Sequence, residues 1–232
     1  MTERAREIAV NLATFRDRLT RACDRAGRDP AGVTLIAVTK TFPVEDARVL
    51  ADLGVTDFGE NRDAEAKVKA AALPDVRWHF IGQLQRNKAR SVARYAAVVH
   101  SVDRLELVEA LDRGAAAAGR DLDVLVQVAL EEPPRPDRGG VAPLDLPELA
   151  ATVADADRLR LRGLMAIAPL GADPDEAFAR LARLAGQVRA EWPDAGVLSA
   201  GMSGDLESAV KYGATHVRVG TALLGRRTYL VG

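Results

Sequence analysis

The stretch Val33-Thr34-Leu35-Ile36-Ala37-Val38-Thr39-Lys40-Thr41-Phe42-Pro43 decides the fold of this 232-residue chain. Residues 33–39 carry no charge and are apolar on both strand faces, which suits a parallel strand buried between two layers. An open, doubly wound sheet would place a glycine-rich fingerprint after this first strand, and residues 39–43 contain no glycine. Seven further apolar runs follow, at 55–58, 76–82, 96–102, 122–130, 159–168, 196–200 and 214–219. Between them the amphipathic stretches 44–53, 63–73, 87–95, 104–118, 145–156, 173–191 and 205–212 read as helices. Strand-then-helix units of this number predict an α/β fold, a single (β/α)8 TIM barrel near the lower end of that fold's size range.

Ahead of the first strand, Ile8, Leu12, Phe15, Leu19 and Ala22 recur at helical spacing and Gly27 stops the pattern, so an additional N-terminal helix is expected. Residues 221–232 are too few for a full eighth helix, and the N-terminal helix is expected to cover that gap. There is no internal repeat or linker, so residues 1–232 read as one domain. Residues 131–140, EEPPRPDRGG, read as a proline-stiffened surface loop.

Lysine plus arginine number 32 against 33 aspartates and glutamates, a net charge of −1, which argues against a nucleic-acid binder that works by bulk charge. The single cysteine, Cys23, excludes an internal disulfide and a cysteine-based metal cluster. The start, MTERAREIAV, lacks an apolar signal core, and no apolar run approaches the roughly 18 residues of a membrane span. A cytoplasmic protein with no membrane contact is expected.

Only five of the basic residues are lysines: Lys40, Lys67, Lys69, Lys88 and Lys211. The last four lie in polar helical stretches, whereas Lys40 ends an uncharged run and shares a strand face with Ile36 and Val38. A lysine in a partly desolvated site has a lowered pKa and is a competent amine nucleophile for a carbonyl. The small-residue turn Ser199, Gly201, Ser203, Gly204 precedes a helix, and Gly220-Thr221 ends the last strand. Both follow strands 7 and 8, where this fold places phosphate sites. Arg218, between Val217 and Val219, must point to the barrel interior or mouth. There it requires an acceptor, either a carboxylate such as Glu60 or Asp103 or an atom of a ligand ring. A nucleophilic lysine, a phosphate cradle and an arginine facing a ring acceptor together describe pyridoxal 5′-phosphate (PLP).

The segments VTKTFP (38–43), FGEN (58–61), WHFIGQLQRNK (78–88), HSVD (100–103), GLMAI (163–167), SAGMSGD (199–205) and VRVGTALLG (217–225) resemble the YggS/PROSC family of pyridoxal phosphate homeostasis proteins. These are single-domain relatives of the alanine racemase barrel. The resemblance implies that Lys40 is the Schiff-base lysine, that Ser203, Gly220 and Thr221 bind the phosphate, and that Arg218 faces the pyridine nitrogen. It places Asn61 near the cofactor and His79 and Met165 close to its ring. Three positions depart from the family pattern: Arg62 stands where an aromatic is usual, Pro136-Asp137-Arg138-Gly139-Gly140 replaces a Ser-Lys loop, and Ala200 replaces a methionine.

Three functions compete. A carrier would hold PLP and related B6 vitamers and supply PLP-dependent apo-enzymes, most simply as a monomer. A fold-type III enzyme such as an amino-acid racemase would need a base on the opposite ring face, and Tyr95, Tyr212 and Tyr229 have no evident route there. A Schiff-base aldolase would leave Arg218 without a role. Because arginine only donates, it keeps a pyridine nitrogen unprotonated and the ring a weak electron sink, which favours the carrier.

Overall fold

A computed structural model describes residues 1–131 and 139–225. Strands β1 (Thr34–Val38), β2 (Asp57–Glu60), β3 (Arg77–Phe80), β4 (Val98–Val102), β5 (Leu122–Gln127), β6 (Leu159–Met165), β7 (Val197–Ser199) and β8 (His216–Val219) pair in sequence order. All pairings are parallel, and β8 returns to β1 to close the barrel. Helices α1 (Glu3–Arg25), α2 (Val44–Asp52), α3 (Asp63–Ala72), α4 (Ala89–Tyr95), α5 (Leu105–Ala118), α6 (Leu146–Ala154), α7 (Pro174–Glu191), α8 (Leu206–Lys211) and α9 (Thr221–Leu224) form the outer layer. The expected (β/α)8 barrel with its extra helix is the fold observed.

The α1 helix starts at Thr2, whose hydroxyl accepts the Ala5 N–H, and it has Glu3 in its first turn and Arg25 in its last. Its buried stripe is Ile8, Leu12, Phe15, Leu19 and Ala22, the expected set, with Ala5 and Cys23 added. Burying each large member stabilises by about 1.5–3 kcal/mol. The stripe lies against α2, α8 and α9, so α1 covers the gap beside the short last helix. Polar ties reinforce it. Arg4 donates to Asp46 and to the Leu224 carbonyl, Asn11 to the Leu223 carbonyl, and Arg28 to the Val210 carbonyl.

Alternation along each strand separates two cores. Leu35 and Ala37 of β1 pack outward with the helices, while Ile36 and Val38 face inward. Across the closing seam Ile36 is level with Arg218 and Leu35 with Val217, so the arginine enters the barrel interior as predicted. Gly163 marks an irregularity, where the β5–β6 register shifts between Val124 and Leu125. Its φ is +143°, and a Cβ there would run into the Val197 carbonyl, so glycine is required.

The interior is not the usual aliphatic filling. All three histidines of the chain, His79, His100 and His216, lie inside it with Asp57, Ser199 and Arg218. Below the mouth, Val98, Leu125 and Met165 form a small separate apolar cluster.

Candidate cofactor site

A cavity of about 550 Å³ opens where the strands end at their C-termini. Its lining includes Val38 at the end of β1 and Lys40 just after it, Asn61 after β2, Ile81 and Gly82 after β3, and Gln127 of β5. Ile167, Met202, Ser203, Gly204, Arg218, Gly220 and Thr221 complete the far side. Thus Lys40, Asn61, Ser203, Arg218, Gly220 and Thr221, assembled from four strand ends, share one cavity. His79 and Met165 are not among its lining residues: both are 1% exposed and sit in the barrel interior.

Lys40 is held from both sides. The preceding Thr39 is fully buried; its N–H donates to the Gly59 carbonyl and its hydroxyl to Glu60 Oε1 at 2.7 Å. Lys69 of α3 donates to the Thr39 carbonyl at 2.7 Å and to Glu60 Oε1 at 2.6 Å. This corrects two expectations. Glu60 faces outward and pairs with Lys69, not with Arg218, and Lys69 is itself 5% exposed rather than on a polar helix face. The following Thr41 has φ +66°, a conformation a β-branched residue rarely adopts. Its N–H donates to Glu65 Oε2 at 2.9 Å, and its hydroxyl to the Lys40 carbonyl at 2.6 Å. Strain of this kind persists only where the surroundings over-determine it, here with Lys40 as the residue being placed.

Asn61 presents a buried Oδ1 with no hydrogen-bond partner among the described residues, although the residue lines the cavity. Gly82 follows from the same packing, because a Cβ there would overlap the Asn61 backbone. Opposite, the turn 202–204 is fixed by Asp205, whose Oδ1 accepts the Met202 N–H at 2.6 Å. It is also fixed by Arg18 of α1, whose Nη1 donates to the Ser203 carbonyl at 2.7 Å. Gly220 passes close to Val38, and a Cβ would stand 3.0 Å from the Val38 carbonyl oxygen. Thr221 opens α9, whose first N–H groups have no acceptor within the helix.

Arg218 is 5% exposed, and its partners among the described residues are Ser199 Oγ at 2.7 Å and the Ala166 carbonyl at 2.9 Å. Asp103, the other carboxylate considered for it, instead holds Arg104 and the Gly140 N–H. Burial pushes the Arg218 guanidinium down to about 10, with Asp205 acting in the opposite sense, so it remains charged at neutral pH. From Ser199 a line of contacts crosses the barrel. His100 Nδ1 lies 3.0 Å from Ser199 Oγ, His100 Nε2 lies 2.9 Å from His79 Nδ1, and His79 Nε2 lies 2.9 Å from Asp57 Oδ1. Burial would raise the Asp57 carboxyl, but hydrogen bonds from His79 and Thr56 outweigh it and hold it below the usual range. Burial, then the neighbouring His79, Arg218 and His216, hold His100 well below the ordinary histidine value.

Two of the three departures from the expected motif, Arg62 and Ala200, stay off the cavity. Arg62 points to solvent beside Glu65, and Ala200 is buried in the outer core. Pro136, Asp137, Arg138 and Tyr229 lie outside the described residues, while the Gly139 carbonyl accepts Gln127 Nε2 at 2.6 Å beside the cavity. Tyr95 bonds Asp63 on the outer surface and Tyr212 follows α8 beside Lys211, so neither reaches the cavity. Sequence reasoning missed Gln127, Ile81 and Ile167 as walls. The legible signal was Gln127, the polar residue that ends β5 after three buried apolar ones, Val124, Leu125 and Val126.

The chain matches the family "Alanine racemase, N-terminal domain" over residues 10–228. It is 46% identical to the pyridoxal phosphate homeostasis protein of Mycobacterium tuberculosis (strain ATCC 25618 / H37Rv), covering 97% of this chain and 95% of that one. A crystal structure of a protein from Bifidobacterium adolescentis superposes with a TM-score of 0.90 at 32% identity, covering 96% and 97% of the two chains. PipY of Synechococcus elongatus PCC7942, solved with PLP bound, gives a TM-score of 0.79 at 38% identity over 94% of this chain and 100% of that one. With this barrel, this mouth and these relatives, the chain belongs to the pyridoxal phosphate homeostasis protein family, a branch of the alanine racemase N-terminal domain fold.

Proposed function

We propose that this chain binds PLP in the barrel mouth as a single-domain, monomeric carrier. In this reading it works in the cytoplasm, holds the cofactor and related B6 vitamers reversibly, supplies apo-enzymes and runs no reaction of its own. The observation that carries the reading is the convergence of Lys40, Arg218 and the 203–204 and 220–221 turns on one 550 Å³ cavity. That volume suits a small cofactor. The residues fit the group: a buried amide oxygen at Asn61 lacks a partner among the described residues, and cationic donors face a ligand that carries a phosphate and a ring acceptor. PipY, similar along nearly its whole length, was crystallised with PLP bound.

When bound, PLP supplies an aldehyde that condenses reversibly with amines. Lys40 would provide the amine, aimed by the Glu60–Lys69–Thr39 clamp behind it and by Glu65 in front. Ser203, Gly204, Gly220 and Thr221 would hold the phosphate with hydroxyl and backbone N–H groups. Arg218 would donate to the ring nitrogen and, unable to accept, leave that nitrogen without a proton. Such a site favours storage over carbanion chemistry. The test is to incubate the yellow holo-protein with L- and D-amino acids and, separately, with a PLP-dependent apo-enzyme. Activation of the apo-enzyme without amino-acid turnover supports the carrier. Racemisation at about 1 s⁻¹ or faster would instead establish the fold-type III racemase reading.

A further inference from the structure

Arg218 presents a problem of charge. A guanidinium 5% exposed lies inside a barrel, and the two acceptors the structure gives it, the Ser199 hydroxyl and the Ala166 carbonyl, are both neutral. Buried charges ordinarily sit beside a counter-charge. Asp205 acts on it through space, and the carboxylate linked to it by hydrogen bonds is Asp57, two strands away in the barrel interior and reached through Ser199, His100 and His79.

The direction of every bond in that line follows from its two ends. Arginine has no acceptor atom, so Arg218 Nη1 donates to Ser199 Oγ. The Ser199 proton then needs an acceptor, and the other partner of that oxygen among the described residues is His100 Nδ1. His100 therefore accepts at Nδ1, carries its proton on Nε2, and donates to His79 Nδ1. His79 in turn carries its proton on Nε2 and donates to Asp57 Oδ1, which as an ionised carboxylate can only accept. The two imidazoles are neutral and in the same tautomer, and all four bonds point the same way, from the cation to the anion. The reverse polarity would leave the Ser199 hydroxyl hydrogen buried without an acceptor, at a cost comparable to a lost hydrogen bond.

We propose that Asp57, His79, His100 and Ser199 form a one-way hydrogen-bond relay that positions Arg218 and ties it to a carboxylate of the barrel interior. The four are positioning residues, since none of Asp57, His79, His100 or Ser199 lines the cavity. With Nη1 committed to Ser199 and Nη2 to the Ala166 carbonyl, the guanidinium plane is fixed and its remaining N–H bonds have a set direction. His216, Arg77 and Thr56 neighbour the relay, and Thr56 donates to the second oxygen of Asp57. The proposal deepens the PLP reading only in what Arg218 is positioned for. The relay itself exists in the protein without ligand.

Because the chain has three histidines, its imidazole nitrogens can be read directly by long-range ¹H–¹⁵N correlation on uniformly labelled, ligand-free protein. His216→Asn identifies the set outside the relay. His79 and His100 should both be neutral with the proton on Nε2 at pH 7. An Nδ1–H tautomer or an imidazolium at either position overturns the relay. In Asp57→Asn the side-chain amide can turn a donor to His79, so the tautomers of His79 and His100 should reverse or mix. Unchanged tautomers would count against the proposal. If that variant does not fold, the wild-type spectrum still decides. With PLP added, Ser199→Ala should weaken binding about tenfold and shift the visible band, because Arg218 is no longer fixed. Wild-type protein that shows the expected tautomers but no PLP band would sink the cofactor reading and leave the relay standing.

Discussion

Arg18, on the N-terminal helix, donates through Nη1 to the carbonyl of Ser203 at 2.7 Å and through Nε and Nη2 to both oxygens of Glu207. The helix that precedes the barrel thus grips the turn assigned to the phosphate. Arg18→Met keeps the aliphatic stem and removes the grip. The half-exposed ion pair contributes at most about 1 kcal/mol to stability. PLP affinity should nevertheless drop severalfold, read by equilibrium dialysis, while pyridoxal lacking the phosphate binds as before. Equal loss for both ligands would remove Arg18 from the phosphate side.

Lys40→Ala should give a colourless protein. In the parent, borohydride treatment should fix the cofactor on the peptide containing Lys40, as mass spectrometry would show. A yellow Lys40→Ala variant with unchanged stoichiometry would move the attachment to another lysine.

The paired change Ser203→Ala with Thr221→Val removes two hydroxyls that face the cavity. Each hydrogen bond to a charged acceptor is worth roughly 1.5–3 kcal/mol, so PLP retention should fall about a hundredfold or more. Pyridoxal should be much less affected, and dialysis of both ligands side by side separates the cases.

Lys69→Met is a stability prediction. It strands the Glu60 carboxylate, 1% exposed, beside an apolar side chain and should cost about 3–5 kcal/mol in urea unfolding. Adding Glu60→Leu should recover much of the loss. Failure of the second change to rescue would mean that the ion pair is not the source of the effect.

Stability should also fall as the solution is acidified. Burial, then His79 and Arg77, push His216 down to about 4, with Asp57 opposing them, and His100 is likewise depressed. The unfolded chain therefore binds protons that the folded chain refuses. The contribution is complete above the unfolded histidine value near 6.5 and is lost as pH falls toward 4. For His216 alone it reaches about 3 kcal/mol. The depressed Asp57 acts in the same sense at lower pH. His216→Asn should flatten the urea midpoint between pH 6.5 and 4, and an unaltered slope would contradict this account.

The barrel was legible because a parallel strand covered on both sides must be apolar on both sides; residues 33–39 obey that rule, while Asp123, Arg160 and Arg162 interrupt it in the first halves of β5 and β6, where Arg162 pairs with Asp123 and Arg160 with Asp121. Strand ends were overrun for a physical reason. Residues such as Val128 and Ile167 lie past their ladders yet remain apolar, since they wall the cavity. Lys40 and Arg218 were legible as charges in apolar surroundings. The acceptor of Arg218 was not, because it depends on which side chains the inter-strand register brings level. Glu60 and Lys69 were invisible for the same reason: nothing in the α3 periodicity shows that one of its lysines turns inward.

The β8–β1 seam has a kinetic consequence. Lys40 stands just after the first strand and Arg218, Gly220 and Thr221 on or after the last, so these two sides of the mouth come from distant parts of the chain. Arg4 and the Leu224 carbonyl bridge the same seam from the outside. Contacts between such distant segments are the slowest to form. On the ribosome, then, the early βα units can collapse and pack, but they have no grip on the cofactor until the final strand has emerged and closed the ring. Ligand that binds only the closed form adds to its stability by mass action. The vitamin would act as a late latch on folding, and the onset of yellow colour during refolding would time the closure of the barrel.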